Sequence, residues 1–149
     1  MMQRLEYRKV IPDAMKALDN VRQYVANSGL PHDLIDLIYL RVSQINGCAY
    51  CVDLHTRDLL TGGMKIEKIV LVPVYWEAQS FFTEKERAAL AWAESLTHIS
   101  QTKAPDDVYN EAAKHFDQKQ LADLTVAIAI MNSFNRIAVG FRRGPAPRP

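Results

Sequence analysis

Both cysteines of this chain and one of its four histidines fall in one short motif, Cys48-x2-Cys51-x3-His55. The breaker pair Asn46-Gly47 precedes the motif and Gly62-Gly63 follows it, so the segment between them is predicted to be one helix. Residues three or four positions apart share one face of a helix. We therefore expect the two thiols and the imidazole to lie along a single stripe.

This placement predicts a reactive dithiol. Cys48 is expected in the first helical turn, where free backbone N–H groups and the helix dipole favour an anion such as a thiolate. The thiolate is the nucleophilic form of cysteine. His55, one turn beyond Cys51, can accept a thiol proton or, when charged, stabilise the thiolate.

Three simpler interpretations compete with a reactive dithiol. A buried cysteine can serve only as a small apolar residue. Cys48, Cys51 and His55 could supply three zinc ligands, but structural zinc takes four and the chain has no second cysteine pair. A purely structural disulfide is the least favoured, because a bridge between positions i and i+3 closes a very small loop.

Length and composition limit the class of protein. The 149 residues suit one domain, predicted over residues 1–149, and 48% of them are hydrophobic, enough for a core. With 18 basic and 17 acidic residues the chain lacks the footprint of a nucleic-acid binder. No apolar run long enough for a membrane span is present, and the N-terminus lacks an apolar signal core, so we expect a cytoplasmic protein.

Start and stop signals predict six or seven helices, no convincing strand, and hence an all-α fold. Pro12-Asp13, Asp33, the capping box of Thr83 and Glu86, and Asp117 with Gln120 are the expected helix starts. Residues 1–11 are predicted to be an extended lead-in and residues 144–149 a disordered tail. The stretch 66–72 is interpreted as a short helix, because no second strand exists to pair with it.

Several single residues carry expectations of their own. Asp36 interrupts an apolar helix and is expected to face solvent. Trp92 is expected at the surface or at an interface. The aromatic stretch 74–82 either packs in the core or lines a substrate entrance. Asn132, Asn135 and Arg136 interrupt the last apolar helix, where they could bond a neighbouring helix end or a second subunit.

The motif and its surroundings resemble a known family. Residues 41–56, 82–90 and 93–94, together with the polar residues of the last helix, are similar to the alkylhydroperoxidase D-like (AhpD-like) branch of the carboxymuconolactone decarboxylase family. The resemblance spans about residues 30–140 and implies an AhpD-like helical bundle that forms homo-oligomers, as trimers or hexamers. It also implies a thiol-dependent peroxidase that reduces hydroperoxides in antioxidant defence.

The resemblance assigns roles to individual residues. It implies that Cys51 attacks the peroxide, that Cys48 resolves the product and that His55 is the base. Asp36 takes the place of the family's usual Glu and is one methylene shorter, so a bridging water could be needed. Tyr50, where the founding enzyme has His, can donate a hydrogen bond and is the candidate substrate-binding residue.

The implied chemistry needs an external dithiol, either a reductant protein or a small molecule, and no bound cofactor or metal. A general disulfide oxidoreductase would use the same residues. Zinc bound by Cys48, Cys51 and His55, or a non-catalytic oligomeric scaffold, remain alternatives from other classes. A lyase of the decarboxylase branch is a further alternative, although that branch typically lacks the cysteine pair.

Overall fold

The computed structural model describes residues 2–146, and within them the chain is all helical, as predicted. Six helices have ten or more residues and three are shorter. In chain order they are α1 (Tyr7–Val10), α2 (Pro12–Ala26), α3 (His32–Ile45), α4 (Ala49–Thr61), α5 (Ile66–Val70), α6 (Glu84–Thr97), α7 (Ile99–Thr102), α8 (Asp106–His115) and α9 (Gln118–Gly140). Two short 3₁₀ turns, Val72–Val74 and Gln79–Phe81, connect α5 to α6.

The expected capping signals form at two of the long helices. At α6, Thr83 Oγ1 accepts from the Glu86 backbone N–H at 3.2 Å, and Glu86 Oε2 accepts from the Thr83 N–H at 2.8 Å. Asp117 and Gln120 make the same reciprocal pair at the start of α9. Each pair satisfies two N–H groups that would otherwise lack partners, which fixes where the helix begins.

The core is built around α3, which packs against α4, α6 and α9. Its side chains Leu37, Ile38, Leu40 and Val42 are fully buried, because they point in several directions around the helix and each direction meets another helix. This central position of α3 holds the C-terminal end of α3, and therefore the motif that follows it, against the last helix of the chain.

Some sequence-based expectations are wrong in detail. The predicted lead-in over residues 1–11 contains the helical turn α1 and ends at Ile11, the N-cap of α2. Helix α3 begins at His32 with Pro31 as its N-cap, so Asp33 lies inside the first turn. Trp92 is only 7% exposed, and its indole N–H donates to Thr125 Oγ1 at 3.0 Å. A surface position for Trp92 is therefore incorrect.

The C-terminal end of the described chain is not helical. Residues 144–146 are exposed and form no helix, while residues 147–149 of the predicted tail lie outside the described residues.

None of the helices over residues 2–146 combines the length and the apolarity that a bilayer crossing requires.

Candidate functional site

A hydrogen-bonded turn positions the cysteine motif. Asn46-Gly47 joins α3 to α4, with Gly47 at a φ of +66°, a left-handed conformation that glycine adopts without strain. Asn46 Nδ2 donates to the side-chain oxygens of Asn132 and Asn135, both at 3.0 Å, and Asn135 Nδ2 donates to Ser43 Oγ at 3.0 Å. The amides of Asn132 and Asn135 therefore bond the C-terminal end of α3, whereas Arg136 donates to Asn132 within α9.

Cys48 and Cys51 are joined by a disulfide across the first turn of α4. Cys48 is the N-cap of the helix and not part of its first turn, and its Sγ accepts from the Cys51 backbone N–H at 3.3 Å. Both residues are buried, at 1% and 4% exposure. A sulfur thus accepts one of the backbone N–H groups that have no partner within the helix at its start. The sulfur pair therefore lies at the positive end of the helix dipole.

A cavity of about 380 Å³ lies beside this sulfur pair. Cys51 and His55 line it from the same face of α4, one turn apart, whereas Cys48 is not among its lining residues. Tyr50 also lines the cavity, under the guanidinium of Arg143, which lies 3.9 Å from the ring centroid. Arg143 also donates to the Tyr7 hydroxyl at 3.1 Å, so the segment after α9 closes one side of the cavity.

The imidazole of His55 faces two carboxylates. Its Nδ1 lies 3.5 Å from Asp36 Oδ1 and 3.4 Å from Asp58 Oδ2. The nitrogen is buried, and neither contact has hydrogen-bond geometry, so it has no aligned partner among the described residues. Asp36 thus lines the cavity and does not simply face solvent, and its carboxylate lies 3.5 Å from the ring nitrogen.

Burial and charge act on the groups around His55. Burial, followed by the charge of Asp36, raises the pKa of Asp58 above its ordinary value, and His55 partly opposes this. Burial also raises the pKa of Tyr39, whose ring centroid lies 5.1 Å from that of His55. The Tyr39 hydroxyl is buried without a hydrogen-bond partner within residues 2–146.

Sequence reasoning identified part of this cluster and missed the rest. Cys51, His55, Asp36 and Tyr50 all line the cavity, and Cys48 is bonded behind it. Asp58 was missed, although its position three residues after His55 places it on the same helical face. The lining of this cavity comes from outside the aromatic stretch 74–82, in which Tyr75 and Phe82 are buried in the core.

Two bacterial proteins are similar to this chain in sequence. The uncharacterized protein YdfG of Bacillus subtilis (strain 168) is 35% identical over 139 residues, which cover 93% of this chain and 94% of YdfG. The uncharacterized protein YnjA of Escherichia coli (strain K12) is 28% identical over 96 residues, 64% of this chain and 52% of YnjA.

Solved structures share the fold. The crystal structure of ATU0492 from Agrobacterium tumefaciens, a protein of unknown function with a proposed identity as the antioxidant defence protein AhpD, matches with a TM-score of 0.93 and 43% identity. That match covers 98% of this chain and 100% of ATU0492. The apo debrominase Bmp8 has the same fold, with a TM-score of 0.76 and 21% identity over 91% of this chain and 73% of Bmp8.

The family model gives the assignment. The model of the carboxymuconolactone decarboxylase family matches residues 12–95, which is more than half of the chain and includes the whole cysteine motif. The sequence resemblance, the helical fold and the similarity to ATU0492 agree with it. This chain belongs to the carboxymuconolactone decarboxylase family and is AhpD-like.

Proposed function

We propose that this protein is a thiol-dependent peroxidase that reduces hydroperoxides through Cys51 and Cys48. The observation that carries the proposal is the shared cavity wall of Cys51 and His55, with Cys48 already within bonding distance of Cys51. A peroxide in the cavity would meet Cys51 first, because Cys48 lies behind it. This supports Cys51 as the attacking thiol and Cys48 as the resolving thiol.

The orientation of His55 supports its role as the base. Its Nδ1 faces Asp36 and Asp58, so a proton on Nδ1 is favoured by two carboxylates. In a neutral imidazole with the proton on Nδ1, Nε2 carries the free lone pair. We infer that Nε2 takes the Cys51 proton and that Asp36 stabilises the imidazolium that forms. Positioned acid–base help of this kind contributes on the order of 10²–10⁴-fold.

The cycle balances in three steps. The Cys51 thiolate attacks the terminal peroxide oxygen, the O–O bond breaks, Cys51 becomes a sulfenic acid, and the alkoxide takes the proton held by His55. The Cys48 thiol then attacks the sulfenic sulfur, which forms the Cys48–Cys51 disulfide and releases water. An external dithiol reduces the disulfide by exchange and is itself oxidised to a disulfide.

The proposal also covers the setting of the reaction. No step of this cycle calls for a bound cofactor or metal, and the electrons come from a reductant protein or a small dithiol. We propose that the protein acts in the cytoplasm. We also propose that it is a homo-oligomer, a trimer or a hexamer, because the family resemblance implies that assembly. The substrate is a hydroperoxide small enough for a cavity of about 380 Å³.

A peroxidase assay with cysteine variants tests the proposal. Cys51→Ser is expected to abolish turnover and to leave no sulfenic acid. Cys48→Ser is expected to consume about one equivalent of peroxide and then stop, with a sulfenic acid at Cys51 that a cyclic 1,3-diketone traps for mass spectrometry. Trapping at Cys48 in Cys51→Ser, or undiminished turnover in both variants, would contradict the proposed roles.

A disulfide oxidoreductase is the second candidate, because the Cys48–Cys51 disulfide at the cavity could equally exchange with a substrate disulfide. Rates with organic hydroperoxides and with small disulfides, measured side by side under the same reductant, separate the two functions. Peroxide turnover well above disulfide turnover is the result expected for a peroxidase.

A further inference from the structure

Three side chains at one end of the cavity bring together the kinds of atoms that bind a metal ion. They are Asp36 from α3 and His55 and Asp58 from α4, and their ligand atoms all lie within 4.8 Å of one another. The imidazole is 93% buried at its side chain, while the side chains of Asp36 and Asp58 are 27% and 45% exposed. A buried nitrogen thus faces two partly hydrated carboxylates.

The two nitrogen–oxygen separations suit a shared cation better than hydrogen bonds. Nitrogen–oxygen hydrogen bonds are typically about 2.7–3.2 Å long. The separations from His55 Nδ1 are 3.5 Å to Asp36 and 3.4 Å to Asp58. Zn²⁺ holds nitrogen and carboxylate ligands at about 2.0–2.2 Å, which places the corners of a tetrahedron about 3.3–3.6 Å apart.

His55 gives a second, independent indication. Its Nδ1 is buried and has no hydrogen-bond partner within residues 2–146, and it points between the two carboxylates. A buried polar atom without a partner costs free energy. The two carboxylates also repel each other. A cation between the three atoms removes both costs.

We propose that Asp36, His55 and Asp58 bind a divalent first-row transition metal ion of the Zn²⁺ type, with water at the remaining position. Imidazole nitrogen and carboxylate oxygen are both zinc ligands, and three protein ligands leave one position open. Ca²⁺ and Mg²⁺ fit poorly, since Ca²⁺ takes six to eight oxygen ligands and Mg²⁺ near-ideal octahedral oxygen geometry.

The site has its own access and two carboxylates available to a cation. Asp36 and Asp58 also line a second cavity of about 740 Å³, so an ion can reach them without passing Cys51. The first cavity is also lined by three arginines, Arg8, Arg22 and Arg143. There Asp19 pairs with Arg8 at 2.9 Å and lies 3.9 Å from Arg22 Nε. Within residues 2–146 no arginine forms an ion pair with Asp36 or Asp58, so both carboxylates remain available to a cation.

A metal ion bound at this site would regulate the peroxidase reaction. This consequence rests on the proposed function, whereas metal binding itself does not. A metal ion on Nδ1 displaces the proton from that nitrogen, so the neutral ring must carry its proton on Nε2. Nε2 then has no lone pair with which to accept the Cys51 proton. The metal-bound protein is expected to be a slower peroxidase than the metal-free protein.

Titration calorimetry of the disulfide-bonded protein with ZnCl₂ tests the binding. Without reductant, neither sulfur is a thiolate ligand. We expect about one equivalent bound by the wild type and at least a tenfold loss of affinity in Asp58→Asn and in Asp36→Asn. His115→Gln is the control, because the half-buried His115 lies 3.3 Å from Glu111 in a histidine–carboxylate pair on α8 that lacks a second carboxylate in contact. Its affinity should equal that of the wild type, and MgCl₂ should not compete.

Two results would overturn the metal site. One is equal zinc affinity in the wild type and both aspartate variants, and the other is loss of binding only in His115→Gln. The regulatory consequence is measured separately, as the zinc-bound rate divided by the zinc-free rate of the same variant. Zinc binding without any peroxidase activity would refute the proposed function and leave the metal site supported.

Discussion

Replacing Asn135 by alanine should destabilise the protein strongly, although Asn135 lies on α9, far along the chain from the cysteines. Asn135 is fully buried and bonds both Ser43 and Asn46 at 3.0 Å. Each of these hydrogen bonds contributes about 1 kcal/mol net. The fully buried Ser43 hydroxyl would also lose its partner, which costs a further 1–3 kcal/mol or so. Asn46 keeps its second bond to Asn132.

We therefore expect the free energy of unfolding to fall by about 3–5 kcal/mol, a large share of the 5–15 kcal/mol or so of a typical domain. Urea unfolding of the oxidised protein at a fixed protein concentration measures this change. Asn110→Ala is the matched control, because Asn110 is exposed on α8, and its effect should stay within about 0.5 kcal/mol.

A double-mutant cycle with Ser43→Ala makes the reasoning refutable. If the two side chains depend on each other, the double variant should lose less stability than the sum of the single variants, by about 1 kcal/mol. Losses that add to within a few tenths of a kcal/mol would show that the Asn135–Ser43 hydrogen bond does not carry the effect. A loss in Asn135→Ala no larger than in the Asn110 control would refute the role of the whole turn.

Three further predictions concern single positions. Gly47→Ala should lower the free energy of unfolding by about 1–2 kcal/mol because of the positive φ, whereas Gly62→Ala, at φ −72°, should leave it unchanged or raise it; urea midpoints compare them. Tyr39→Phe should leave stability unchanged or raise it by up to about 1 kcal/mol, since the lost hydroxyl has no partner within the described chain, and a clear loss would reveal one. The hydrogen bond from Lys119 holds the pKa of Asp123 below its ordinary value, so this carboxylate stabilises the fold above a pH of about 4, and the benefit is lost as the pH falls further. In Asp123→Asn the urea midpoint should decline less steeply on acidification than in the wild type. An identical decline in both proteins would contradict this role of Asp123.

Local chemistry made part of the structure predictable. The capping pairs at Thr83 and Asp117 and the helical stripe of Cys48, Cys51 and His55 depend only on residues within a few positions of one another. Such patterns determine where a helix begins and which side chains share its face. They required no knowledge of the rest of the fold, and the structure contains them with a shift of one residue at Cys48.

Contacts between segments that are distant along the chain could not be predicted from the sequence pattern. Asp36 looked like a solvent-facing interruption of an apolar helix, and only the neighbouring α4 turns it towards His55. The indole of Trp92 is buried because α9 supplies Thr125 as a partner for its N–H. The stacking of Arg143 on Tyr50 depends on the chain turning back after α9. Periodicity in one helix cannot indicate which residues another helix brings to it.

The sulfur that caps α4 has a consequence for how the proposed cycle is reset. An incoming thiolate can reach Cys51 from the cavity, while Cys48 lies behind it, so exchange is expected to begin at Cys51 and to make Cys48 the leaving group. As the bond breaks, negative charge collects on the one sulfur that already accepts a backbone N–H at the start of a helix. The fold would thereby favour departure of that sulfur, and the mixed disulfide with the reductant should form on Cys51.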